Sequence, residues 1–169
     1  GYIESQNFSD FSFEIYFKDK KKWKKSRLED HLKSHENELL SSDGVRFFNK
    51  SKRLKGFIKI KTDKIDCTLE ATIRPHGNFI DHRSGNMPSL NINLKEGNIK
   101  GITRFLLLKP ETRNGNNEIF NTVLFKHAGF LAPITFKTNL FHNDQKFKVI
   151  FQEKIVKEML AVSYTHLTL

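Results

Sequence analysis

Between residues 11 and 17 apolar and polar side chains alternate, with Phe11, Phe13, Ile15 and Phe17 on one face and Ser12, Glu14 and Tyr16 on the other. A period of two belongs to a strand buried on one side, so a β-strand is expected here. Lys18-Asp19-Lys20-Lys21-Lys22-Trp23-Lys24-Lys25 follows, a basic run broken by one tryptophan. Ser26 with Glu29 three residues later is a capping-box pattern, in which two side chains satisfy free amides at a helix start. Leu28, Leu32, His35 and Leu39 then recur at helical spacing. They predict an amphipathic helix over residues 26–40, stopped by Ser41-Ser42-Asp43-Gly44.

From Lys55 onward the period returns to two. Residues 57–61 and 67–73 flank the polar Thr62-Asp63-Lys64 segment and predict a hairpin. Arg74-Pro75-His76-Gly77-Asn78 breaks the second strand, and a polar loop runs on to Pro88. Residues 89–95 alternate again, with a turn at Glu96-Gly97-Asn98. Residues 102–108 form a nearly continuous apolar run, as in a strand covered on both faces. Asn116 offers an N-cap to a helix whose apolar face is Ile119, Phe120, Val123 and Leu124, with His127, and Gly129 offers a left-handed C-terminal cap. Phe136, Thr138 and Leu140 lead through His142-Asn143-Asp144-Gln145 to Phe147, Val149 and Phe151, a second hairpin. Ile155–Leu160 begins another helix.

This order predicts one α+β domain over residues 1–160. Its expected core is a mainly antiparallel sheet with one packed helix, arranged like a kinase small lobe over about residues 55–154, with an N-terminal strand–helix extension. Ala161-Val162-Ser163-Tyr164-Thr165-His166-Leu167-Thr168-Leu169 changes composition abruptly and resembles translated sequencing-adapter read-through. It is expected to be non-native, with the genuine sequence stopping near Leu160.

Composition sharpens the picture in three respects. Sixteen Phe against three Tyr and one Trp predict a core built on phenylalanine. A net charge of +10 favours phosphate-bearing or otherwise acidic partners, although a solubilising surface produces the same surplus. Cys67 is the only cysteine, which excludes an intrachain disulfide and fits a small buried thiol. The sequence contains no apolar run long enough for a membrane-spanning helix.

Four segments carry a more specific likeness. Arg74-Pro75-His76-Gly77-Asn78 resembles the Arg-x-x-Gly-Asn segment of the CotH-type (spore coat protein H-like) atypical kinases. Residues 88–95 resemble the strand that follows it, although Met87-Pro88 stand where that family commonly has a lysine. Residues 118–130 with Leu131-Ala132-Pro133 are similar to the family's helix and its Gly-x-x-Ala-Pro exit. Residues 147–154, ending Phe151-Gln152-Glu153-Lys154, are similar to the strand leading into the link between lobes. The likeness covers roughly residues 65–160.

The resemblance implies a secreted or surface-associated kinase-like protein that moves the γ-phosphoryl of ATP, with Mg or Mn, to protein hydroxyls. Lys95 and Lys109 are then the phosphate-side lysines and Glu118 the acid that orients one of them. Arg74 and His76 complete the nucleotide set, and the backbone of Gln152, Glu153 and Lys154 faces the adenine. The catalytic Asp and the metal ligands would belong to the larger lobe, so this chain is expected to bind nucleotide without transferring phosphate. Each of these charges also reads as an ordinary solvated side chain.

The alternative reading is a non-catalytic module whose basic face holds an acidic polymer such as surface polysaccharide or nucleic acid. Lys18–Arg27 with Trp23 offers lysines for phosphates and a ring for stacking, as nucleic acid or anionic lipid would require, or else is a solvated connector. Without a Gly-rich phosphate loop or an RNA-binding aromatic motif, nucleic acid is not the expected partner. His31 and His35 have a metal-binding i, i+4 spacing that chance on a polar helix also supplies. His76, Asp81 and His82 share a polar loop that fits a divalent ion, a phosphate or plain loop polarity.

Overall fold

The computed structural model describes residues 11–40 and 51–155, with the side chains of residues 34–40 excepted. The expected stop at 41–44, the helix start after Ile155 and the 161–169 tail lie outside the described residues, as do the side chains of His35 and Leu39. The strands are β1 (Ser12–Phe17), β2 (Leu54–Lys61), β3 (Asp66–Pro75), β4 (Leu90–Leu94), β5 (Arg104–Leu108), β6 (Thr135–His142) and β7 (Gln145–Glu153). The helices are α1 (Lys20–Leu40), α2 (Ile80–Arg83) and α3 (Asn117–His127), with a 3-10 turn at Pro110–Arg113. The α+β class and the mostly antiparallel sheet are as the pattern predicts.

The sheet closes. Its order is β1-β2-β3-β4-β5-β7-β6, and β1 pairs in parallel with β6 through Ser12–Asn139, Phe13–Leu140 and Glu14–Phe141. The expected open sheet of a kinase small lobe is therefore corrected to a barrel, and the expected N-terminal extension to one of its staves. Closure over these three pairs leaves the sheet without a fully open edge strand. The hairpin β6–β7 turns on Asn143 and Asp144, both with positive φ (47° and 61°), the backbone that a two-residue hairpin favours.

Alternation aims one side chain in two at the barrel axis. Phe13, Phe105 and Phe151 are fully buried there, with Ile15, Ile58, Ile73, Leu90, Ile92, Leu107 and Leu140 around them. Cys67 packs half-buried against this core. Gly56 is needed at its position because a side chain there would set its Cβ 2.3 Å from the Tyr16 carbonyl oxygen on the paired strand.

The helices depart from the pattern. Lys22 N donates to Asp19 Oδ1 at 2.9 Å, so Asp19 caps α1 and Ser26 lies inside the helix rather than at its start. Leu28 and Leu32 are exposed instead of core-facing. What α1 does bury is Trp23, stacked on Phe17 with ring centres 4.2 Å apart, and Asp30 two turns onward on the same face. On α3, Ile119 packs on a small outer cluster of Leu106, Leu108 and Ile150, which covers β5 on both faces as expected. Phe120, Val123 and Leu124, expected to face the core, are exposed. Gly129 (φ 80°) ends the helix, with Gly129 N donating to Lys126 O and Phe130 N to Phe125 O, as a Schellman cap requires. Among the described residues no helix is long and apolar enough to cross a membrane.

Candidate functional site

Outward positions on four neighbouring strands assemble a polar platform beside the first turn of α3. Arg74 on β3, Asn91 on β4, Leu106 on β5 and Gln152 on β7 are successive register partners. Two residues along each strand, Thr72, Asn93 and Arg104 form a parallel row, and Lys154 N donates to Arg104 O at 3.0 Å. Arg53, just before β2, donates from Nη2 to Asn91 Oδ1 at 3.3 Å. On the opposite side Gln152 Nε2 donates to Glu118 Oε1, and Arg113 Nε lies 3.9 Å from Glu118 Oε2, beyond hydrogen-bond reach.

Arg74 is the unusual member. It is 9% exposed, its Nε–H has no hydrogen-bond acceptor, and among the described residues it has no acidic partner. Burial first, then the charges of Arg53 and Arg83, press its pKa below the ordinary arginine value. Asn93 Oδ1 and Arg113 Nε are likewise buried without a hydrogen bond. A buried cation lacking a counter-charge is costly, and an arginine's planar fork matches the oxygens of a phosphate or carboxylate.

The loop after β3 borders the platform. His76 is half-buried, its ring edge-on to that of His82 at 5.8 Å, and His82 Nδ1 is 3.1 Å from Ser89 Oγ. Burial, followed by His82, Arg113, Arg74 and Lys154, pushes the His76 pKa down to about 4. His82 is also lowered, chiefly by burial, against the opposing pull of Asp81. The loop is anchored from α1. Arg83 donates from Nε to Gly77 O at 2.8 Å and from Nη1 to Asp30 Oδ2 at 3.1 Å, while Arg27 Nη1 donates to Asp30 Oδ2 at 3.0 Å. Gly77 (φ 86°) admits this packing, since a Cβ there would lie 2.4 Å from His82 Cβ.

A pH prediction follows from His76. In the unfolded chain its pKa is 6.5 and in the fold about 4, so the unfolded state binds more protons between these values. Stability is therefore full above about pH 6.5 and declines as pH falls toward 4. For this partly solvated ring the loss is on the order of 1–2 kcal/mol after screening. Urea unfolding at pH 7 and pH 4.5 should show a larger loss in the wild type than in His76→Gln; equal losses would contradict this placement of the ring.

The structure thus puts Glu118 in contact with Gln152, while Arg74 lies three strands across the same face, ~14 Å away at strand spacing, with His76 two residues beyond it. Lys95 and Lys109 sit elsewhere. Lys95 N donates to Glu70 O four residues along β4 from Asn91, which is ~13 Å at strand rise. Lys109 Nζ donates to Asp81 O at 2.8 Å and Ser84 O at 3.2 Å, and the residue lines a separate cavity of about 310 Å³ with Lys146 and Lys148. The expected pairing of Glu118 with either lysine is replaced by its contacts to Gln152 and Arg113, because neither lysine shares its rows. Glu153 has the opposite strand parity, and its Oε2 accepts from Ile134 N at 3.0 Å. Trp23, buried against Phe17, has no free ring face for stacking on a nucleobase. Asp81 Oδ1 accepts from its neighbour His82 N. Among the described residues no group of three or more His, Cys, Asp or Glu side chains could hold a metal ion.

Arg53, Asn91, Asn93, Arg104 and Arg113 were not singled out by sequence. The alternation Leu90-Asn91-Ile92-Asn93 does show two amides facing away from the core, but only strand register reveals Arg74 beside them.

No family model, curated protein or solved structure matches this chain.

Proposed function

We propose that this chain holds a nucleoside phosphate on the platform, in the manner of the nucleotide-holding lobe of a CotH-type kinase, with arginines in place of the expected lysines. One observation carries the reading: Arg74 is buried, unpaired and flanked by further arginines, a costly arrangement that an anionic ligand would complete. Arg53 and Arg104 would share the phosphate charge, while Asn93 and Gln152, both half-buried, offer amide groups to a base or ribose, and the fully buried Asn91 positions Arg53. The donor set does not fit a resident divalent cation, since Glu118 is already engaged by Gln152 and lies close to Arg113. The reading assigns this chain the holding of the nucleotide and assigns none of its residues the transfer of phosphate to a protein hydroxyl.

Arg74→Gln separates function from folding. Removing charge-assisted bonds to phosphate should weaken ATP binding about 10- to 100-fold by calorimetry. The same change should leave the unfolding midpoint equal or higher, because an uncompensated cation leaves the barrel wall. Unchanged ATP affinity in a folded Arg74→Gln protein would sink the proposal.

A second reading has its own support. Lys20, Lys21, Lys22, Lys24 and Lys25 are all exposed on the first turns of α1, a surface suited to an acidic polymer. Binding to polyphosphate or heparin that falls steeply between 50 and 200 mM salt, with no preference for ATP and no effect of Arg74→Gln, would favour it.

A further inference from the structure

Of the two histidines at the border of the platform, His76 belongs to the expected nucleotide set, but neither has yet been given a chemical role. His76 continues the β3 ladder, its N donating to Ser89 O at 2.7 Å, which puts it on the same strand face as Arg74 two residues earlier. Its ring is edge-on to that of His82 at 5.8 Å, and Arg113, Arg74 and Lys154 add to the positive charge that it feels. Two acids of this region are already engaged: Glu118 by Gln152, with Arg113 close by, and Asp81 by the His82 amide. His76 is thus a titratable ring set in a positive field, at the strand end two residues beyond the unpaired Arg74.

We infer that binding of a phosphate-bearing ligand at the arginine platform draws a proton from solvent onto the His76 imidazole, which then acts as an added cation of the site. This rests on the nucleotide reading and specifies its regulation. Without ligand, burial and the surrounding cations keep the ring neutral at ordinary pH, and its pKa of about 4 reflects that. A phosphate held by Arg74 cancels the repulsive part of the field and adds an attractive charge, so the ring's affinity for protons rises. One N–H bond forms on the imidazole, the proton comes from solvent, and no other bond changes. Linkage then fixes the sign. Wherever the bound pKa exceeds the free one, affinity increases as pH falls, and the gain ends near the free value of about 4, where the ring is charged with or without ligand. The site would hold phosphate more tightly in mildly acidic surroundings. Neutral adenosine would gain nothing.

The experiment is calorimetric titration of ATP at pH 5.5 in two buffers of different ionisation enthalpy, which gives the number of protons taken up. The same titration on His76→Gln and His82→Gln removes the contribution of the nucleotide's own phosphates, because the ligand is common to all three proteins. The wild type and His82→Gln should take up about half a proton more than His76→Gln, and their affinity should rise about twofold more between pH 7.5 and 5.5. Equal proton numbers in the wild type and His76→Gln overturn the inference while leaving the nucleotide reading intact. So does a loss confined to His82→Gln. If the wild type binds no ATP, the nucleotide reading falls and this inference with it. Imidazole ¹⁵N shifts of the unsubstituted protein, with and without ATP, give the same answer without relying on a variant that folds: a His76 ring neutral in both states overturns it.

Discussion

Phe151→Ala should cost about 4 kcal/mol of stability, because it empties the centre of the barrel. Phe151 is fully buried, with ring centres 4.6 Å from Phe136, 4.7 Å from Phe105 and 5.7 Å from Phe13. These rings come from β1, β5, β6 and β7, so the cluster ties the parallel closure of β1 on β6 to the rest of the sheet. Alanine removes both the transfer energy of the ring and the dispersion contacts of its neighbours, which closed strands cannot move inward to restore. Denaturant unfolding should show a lower midpoint with an unchanged slope. A loss under about 1 kcal/mol would mean that the rings do not meet as described.

Asp30→Ala should be comparably severe, about 3–5 kcal/mol, for an electrostatic reason. The Asp30 carboxylate accepts from Arg27 and from Arg83, and the Arg83 side chain is only 2% exposed. Removing the acid takes away the carboxylate that Arg27 and Arg83 share in a poorly hydrated place. The loop holding Gly77, His76 and His82 should loosen as Arg83 loses its anchor. Replacing Arg27, Asp30 and Arg83 together by apolar residues of similar volume should recover most of the loss. If the triple replacement is as unstable as Asp30→Ala alone, the deficit arises from packing and not from unpaired charge.

How much of this was legible in the chain depended on distance along it. The two hairpins, the doubly covered strand β5 and the Gly129 cap were readable because each depends on a local period or a single turn residue. Closure was not readable. Ser12–Glu14 must find Asn139–Phe141 at the far end of the sequence, and alternation on β1 says which face is buried but not which strand lies beside it. The start of α1 was missed because Asp19 looked like one charge within a basic run, when its carboxylate caps the helix. The apolar spacing of α3 promised a buried face, yet the barrel wall beneath it is partly polar and only Ile119 finds a hydrophobic seat.

The platform was legible in its parts and hidden in its assembly. Arg74, His76, Glu118 and Gln152 could be named from their segments, and the register sets Arg74 and Gln152 on one face, with Glu118 against Gln152. Which cations matter was beyond the pattern, because an arginine buried without a partner looks the same in sequence as one in water. Lys95 and Lys109 drew attention by standing at strand ends. Arg53 comes near Arg74, and Arg104 onto the neighbouring row two strands away, only after strands β2 to β5 are paired.

The most direct measurement is the Nε–Hε resonance of Arg74 in a ¹⁵N-labelled sample titrated with ATP. If this guanidinium receives the phosphate, its signal should shift saturably with the nucleotide and its hydrogen exchange should slow, as an unmet donor gains an acceptor. If the Arg74 signal stays fixed and only the α1 lysine signals respond, the barrel wall is not where the anion goes.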